Sequence, residues 1–149
     1  MKKFENGNNK GFSLVELIVV IAIMVVLVAV LAPQFTKYVE QSRRATDIQN
    51  ANSIAEAVLA DAADGTITTD IAATKVVANN PSAIKSEPKT KGNAVAKDAN
   101  FMYEYDLDTN TVKVYVEGSD TNVNDLTDET KATAYKNATS AGQYKAAGN

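Results

Sequence analysis

Asp106, Asp108, Asn110 and Glu117 stand at positions one, three, five and twelve of a twelve-residue segment, the spacing with which oxygen ligands can ring a calcium ion. Position six, where the sharp turn of such a loop calls for glycine, is Thr111. Residues 112–116 alternate like a strand, and no helical pattern enters at Phe101, so no metal is expected there. A second cluster, Asp120, Asn122, Asn124, Asp125 and Asp128, has Lys131 where a twelfth-position Glu belongs and reads as a turn-rich loop. Lys85, Lys89, Lys91 and Lys97 could touch DNA or another polyanion, but no aromatic residue interleaves with them, and a solvated loop is the better reading. The most unusual chemical group is Glu16, an acid immediately ahead of sixteen unbroken apolar residues, Leu17 to Ala32.

Catalysis is poorly supplied. The chain has no histidine and no cysteine, which excludes Cys/His zinc sites, thiol catalysis, a disulfide framework and a Ser-His-Asp relay. Its seven glycines fall into no phosphate-cradling spacing. A net charge of −3 offers no polycationic surface for nucleic acid. An enzyme is not expected, nor is a cofactor.

The elements that carry these residues follow from patterning. Residues 12–32 number 21, which at about 1.5 Å per residue crosses the roughly 30 Å hydrocarbon layer. A domain of 149 residues could hardly bury such a run on all faces as a soluble core helix. Lys2, Lys3 and Lys10 precede it and none interrupts it, so the N-terminus is expected to be cytoplasmic and everything after Pro33 exported. A cleavable secretory signal has its small residues after the apolar stretch. Here Gly11 comes before it, and the apolar segment is expected to persist in the mature chain.

Beyond Pro33, apolar or small residues recur at Phe35, Tyr38, Ser42, Ala45, Ile48, Ala51, Ala55, Val58 and Ala62. This is an amphipathic continuation of the helix, with Gly65 as a stop. Its C-terminal half suits a sheet of its own chain and its N-terminal half suits other subunits. A short helix is expected near Ile71–Val77, then a lysine-bearing loop punctuated by Pro81, Pro88 and Gly92. Phe101, Tyr103, Tyr105 and Leu107 share one face of a strand, and Val112, Val114 and Val116 repeat the alternation, so an antiparallel hairpin spans 101–117. The polar tail holds at most one short element.

The stretch "KGFSLVELIVVIAIMVVLVAVLAPQF" closely resembles the N-terminus of type IV pilins and the related pseudopilins. The resemblance covers roughly residues 8–60. It implies an α+β pilin fold: a long N-terminal spine helix, transmembrane in its first half and amphipathic in its second, packed on a small antiparallel sheet. It implies a leader, residues 1–11, removed by prepilin peptidase after Gly11. It further implies N-methylation of Phe12, an assembly salt bridge from Glu16 to the Phe12 amine of a neighbouring subunit, and a helix bend near Pro33. The implied regions are 12–33 for the filament core, 34–65 for the helix continuation and 66–149 for the head.

The implied partners are other copies of the chain in a helical filament, the peptidase, the pilus assembly platform with its ATPase, and the cytoplasmic membrane before assembly. The assembled location is an extracellular pilus, serving adhesion, motility or DNA uptake. The alternative is a pseudopilin of a type II secretion or competence system. Two features depart from many family members: there is no cysteine for a C-terminal disulfide, which looks more like pilins of Gram-positive anaerobes, and no glycine within "IMVVLVAV".

Overall fold

A computed structural model describes residues 11–78 and 80–147; the expected leader lies almost wholly outside them. In chain order the elements are helix α1, Leu14–Ala63, strands β1, Ile71–Lys75, β2, Phe101–Asp106, and β3, Thr111–Val116, and helix α2, Glu129–Lys136. The architecture is α+β. The chain separates into two compact units, Met1–Lys37 and Tyr38–Asn149.

In the first unit the described part is helical from Leu14, with Pro33 inside the helix. Its large apolar side chains, from Phe12 through Leu31, are all exposed. The helix is long and apolar enough to cross a membrane.

In the second unit the sheet has the order β1-β2-β3 and is antiparallel throughout. Phe101 pairs with Val116, Tyr103 with Val114 and Tyr105 with Val112, which puts the alternating apolar residues of both strands on one face. Phe101, Tyr103, Tyr105, Val114 and Val116 are buried there against Ala51, Ile54 and Val58 of α1. Val123, Leu126 and Tyr135 from the C-terminal segment complete the core. Helix α2 starts at the N-cap Asp128, whose side chain accepts the Lys131 N–H, and it buries Ala132 and Tyr135.

Four expectations need correction. Residues 71–75 form strand β1 rather than a helix, because the free edge of β2 supplies ladder partners that override the helix preference of Ala72, Ala73 and Lys75 in so short a segment. Leu107 is not on the buried face. Strand β2 ends at Asp106, Leu107 is exposed, and its N–H donates to Asp70 Oδ1 at 2.8 Å. The lysine-bearing loop is not simply solvated: Thr90, Gly92, Ala94 and Val95 are buried. Thr90 Oγ1 organises it, donating to Ala96 O at 2.7 Å and accepting the Ala99 N–H at 3.0 Å.

The fourth correction concerns the inward face of α1. Its buried residues are Arg44, Asp47, Ala51, Ile54, Ala57, Val58 and Asp61; the expected apolar stripe coincides with them at Ala51 and Val58, but its Ser42 is exposed and its Ala45, Ile48, Ala55 and Ala62 are half-buried. Three ionisable side chains lie on this face, Arg44 and Asp47 before its apolar residues and Asp61 after them, where a reading based on apolar spacing skips over them.

Candidate functional site

Two sets of polar residues stand out, one in each unit. At the start of α1, Gly11 has open space around it and Phe12 is 93% exposed. Ser13 Oγ accepts the Val15 N–H at 3.3 Å, and Glu16 Oε2 accepts the Ser13 N–H at 2.8 Å. This is a variant of the capping box, in which Ser13 Oγ meets the Val15 N–H in place of the Glu16 N–H, and two N–H groups at the helix start are satisfied by side chains. The role of Ser13 was legible as the S-x-x-E spacing of Ser13 and Glu16, a signal overshadowed by the apolar run. At Pro33, the carbonyl accepts the Thr36 hydroxyl at 2.9 Å.

In the second unit, the carboxylate of Asp47 is fully buried. Its Oδ1 accepts the Lys91 N–H at 2.7 Å, and its Oδ2 accepts the Gly92 N–H at 2.7 Å and the Tyr135 hydroxyl at 2.8 Å. One helical turn earlier, Arg44 spreads its guanidinium over three segments. Nη1 donates to the carbonyls of Ala138 and Lys136, and Nη2 donates to Asn93 Oδ1 at 2.8 Å. Its Nε lies 3.5 Å from Glu40 Oε1, an ion pair without hydrogen-bond alignment. Glu40 Oε1 also accepts the Asn93 N–H at 2.7 Å.

Burial pushes the Asp47 carboxyl above its ordinary value, against the pull of its three donors. Burial and the neighbouring Asp47 push the Tyr135 phenol upward as well. Gly92 is required by contact: a Cβ there would lie 2.4 Å from Arg44 Cγ. The cluster binds α1, the 90–93 loop and the end of α2 into one unit. It is a buried, paired polar network rather than a reactive centre.

The residues with calcium-like spacing are not brought together. Asp106 Oδ1 accepts the Thr109 N–H at 2.8 Å inside the hairpin turn, and Asn110 accepts the Tyr105 hydroxyl at 3.0 Å. Glu117 follows the far end of β3, about 20 Å along the strand from the turn at roughly 3.4 Å per residue, and pairs with Lys75 at 3.0 Å. Among the described residues no group of three or more Asp or Glu converges as a metal site. The four lysines do not form one cluster. Lys85 donates to Ser82 O and Lys89 to Glu87, while Lys91 and Lys97 line a shallow cavity with Arg43, Ser42, Thr46 and Asp98.

Comparison with known proteins bears on the N-terminal set. The family described as Prokaryotic N-terminal methylation motif matches residues 6–32. A curated relative from Clostridium perfringens (strain 13 / Type A), "Prepilin peptidase-dependent protein A", is 33% identical over 78 residues, 51% of this chain and 56% of the relative. The chain therefore carries a prepilin-type N-terminal methylation motif and is similar to a prepilin peptidase-dependent protein. It spans about half the length of the curated relative it matches. No solved structure matches it significantly. The pilin-like motif and the apolar, exposed start of α1 together support a membrane-anchored precursor.

Proposed function

We propose that this protein is the structural subunit of a type IV pilus, made as a single-pass membrane precursor and polymerised through the apolar start of α1 into an extracellular filament. The observation that carries the reading is the methylation motif at residues 6–32, whose later part runs into helix α1 from Leu14, where the large apolar side chains from Leu14 to Leu31 are uncovered. So large an apolar surface needs lipid before assembly and other subunits after it.

In this reading prepilin peptidase cuts between Gly11 and Phe12, and the new Phe12 amine is methylated. The relative named as dependent on that peptidase supports the step. Residues 12–33 then form the filament core, 34–65 continue the spine, and 66–149 form the outward head. A carboxylate within hydrocarbon costs on the order of 2.5–3.5 kcal/mol and calls for a partner. For Glu16 that partner is the Phe12 amine of a neighbouring subunit. Pro33, which lacks an N–H and disrupts the helical ladder, is where the spine bends in the filament.

Mass spectrometry of filaments sheared from producing cells tests the proposal. The expected result is an abundant chain beginning at methylated Phe12. A chain that retains residues 1–11, or lacks everything up to Ala32, would overturn it. A processed chain confined to the cell envelope would indicate a pseudopilin of a secretion or competence system, which shares the same motif.

A further inference from the structure

On one flank of the second unit an amine, a carboxamide and two carboxylates are held in contact. Lys89 Nζ donates to Asn100 Oδ1 and, at 2.8 Å, to Glu87 Oε1. Asn100 in turn donates its Nδ2–H to Glu117 Oε2. The backbone fixes this arrangement. Lys89 and Asn100 face each other in an antiparallel bridge, Thr90 N–H donates to Ala99 O at 3.1 Å, and Glu117 N–H donates to Asn100 O at 2.9 Å. The Asn100 side chain is clamped at both ends, its oxygen on the lysine and its nitrogen on a carboxylate. Its Cγ is therefore held beside Nζ, with an acid–base group at the nitrogen that would leave.

We propose that Lys89 and Asn100 become joined by an intramolecular isopeptide bond. The Lys89 ammonium passes a proton to Glu87, and the freed Nζ lone pair attacks Asn100 Cγ. The tetrahedral centre collapses with cleavage of the Cγ–Nδ2 bond. Glu117, in contact with Nδ2, relays to it the second proton lost by Nζ, and the nitrogen departs as ammonia, which takes up the proton held by Glu87. The products are one amide and one ammonium ion, both carboxylates end as they began, and nothing is oxidised or reduced. Proximity and positioned acid–base groups are what such an otherwise slow aminolysis needs. The bond closes the 89–100 loop, which carries the Lys91 and Gly92 N–H groups to Asp47. It gives a cysteine-free chain a covalent staple that restricts its unfolded state as a disulfide does.

Tryptic mapping of the full chain purified in detergent tests this, since leader removal and methylation do not alter the relevant peptides. The expected result is a joined species containing residues 86–91 and 98–113, one ammonia lighter than the sum of the two, with no cleavage after Lys89. Lys89→Arg should abolish the joined species. Asn100→Asp, which loses water in place of ammonia, should give a joined species of the same mass as that of the native chain. The native chain yielding only separate peptides of full mass would overturn the proposal, and this reading does not depend on any variant folding. A joined species persisting in Lys89→Arg would equally overturn the assignment of the bond.

Discussion

Tyr135 donates its hydroxyl to Asp47 at 2.8 Å across 88 positions of sequence, joining the C-terminal helix to the spine helix through a carboxylate that is itself 0% exposed. Tyr135→Phe keeps the ring and removes the donor. A buried acceptor that loses a partner costs about 1–3 kcal/mol, and the expected outcome is a loss of that size in urea unfolding, with the slope unchanged. An unchanged midpoint would show that Asp47 is held adequately by Lys91 and Gly92.

The pH dependence of the same carboxyl has a definite sign. Its folded-state pKa is raised above the ordinary 3.8, first by burial. Between 3.8 and that raised value the native chain binds more protons at Asp47 than the unfolded chain does. The contribution of Asp47 to stability is therefore full below 3.8 and is lost as pH rises through the folded value. Measured against Asp47→Asn, the native chain's relative stability should decline with rising pH across this window and level off above it. A difference that grows with pH would reverse the assignment, with the three donors outweighing burial.

Gly92→Ala tests the close approach of the 90–93 loop to α1. The added Cβ meets Arg44 Cγ at 2.4 Å and Asp47 Oδ2 at 2.9 Å, so the loop must move from the carboxylate or the guanidinium must leave its carbonyls. Overpacking of a tight core costs about 1–3 kcal/mol, and a melting-temperature drop of at least several degrees is expected. A neutral substitution would mean that the loop docks loosely.

Excess EDTA should leave the melting temperature unchanged. Asp106 and Asn110 lie at the turn of the hairpin, while Glu117 lies at its opposite end against Lys75 and Asn100. A large drop restored by calcium would show that these groups converge on an ion after all.

Glu16→Val separates anchoring from assembly under the proposed function. The substitution removes a costly charge from the apolar segment, so membrane insertion and removal of the leader should persist. Filament yield should collapse, because the neighbouring Phe12 amine would be left unpaired in a low-dielectric core. The readout is fractionation: processed chain in the membrane and little in the sheared material. The Glu16 carboxylate also accepts the Ser13 N–H within its own chain, and normal filament yield in the variant would indicate that this cap is its only role.

The sequence by itself determined the features whose signal is local and periodic. Sixteen consecutive apolar residues admit few environments, and the period-two alternation of 101–106 and 112–116 writes both strands and their shared face directly into residue order. The junction "KGFSLVE" carried the pilin-like resemblance in the same way. What only the tertiary structure decided depends on partners distant in sequence. Residues 71–75 became a strand because an edge of β2 was open to them. Arg44, Asp47 and Asp61 came to occupy the inward face of α1, where hydrophobic spacing alone would leave polar residues outside, because backbone donors and acceptors from residues 82–93 and 136–138 meet them there. A buried charge is tolerated only when its partners are already in position, and no local pattern in a sequence records where those partners will be.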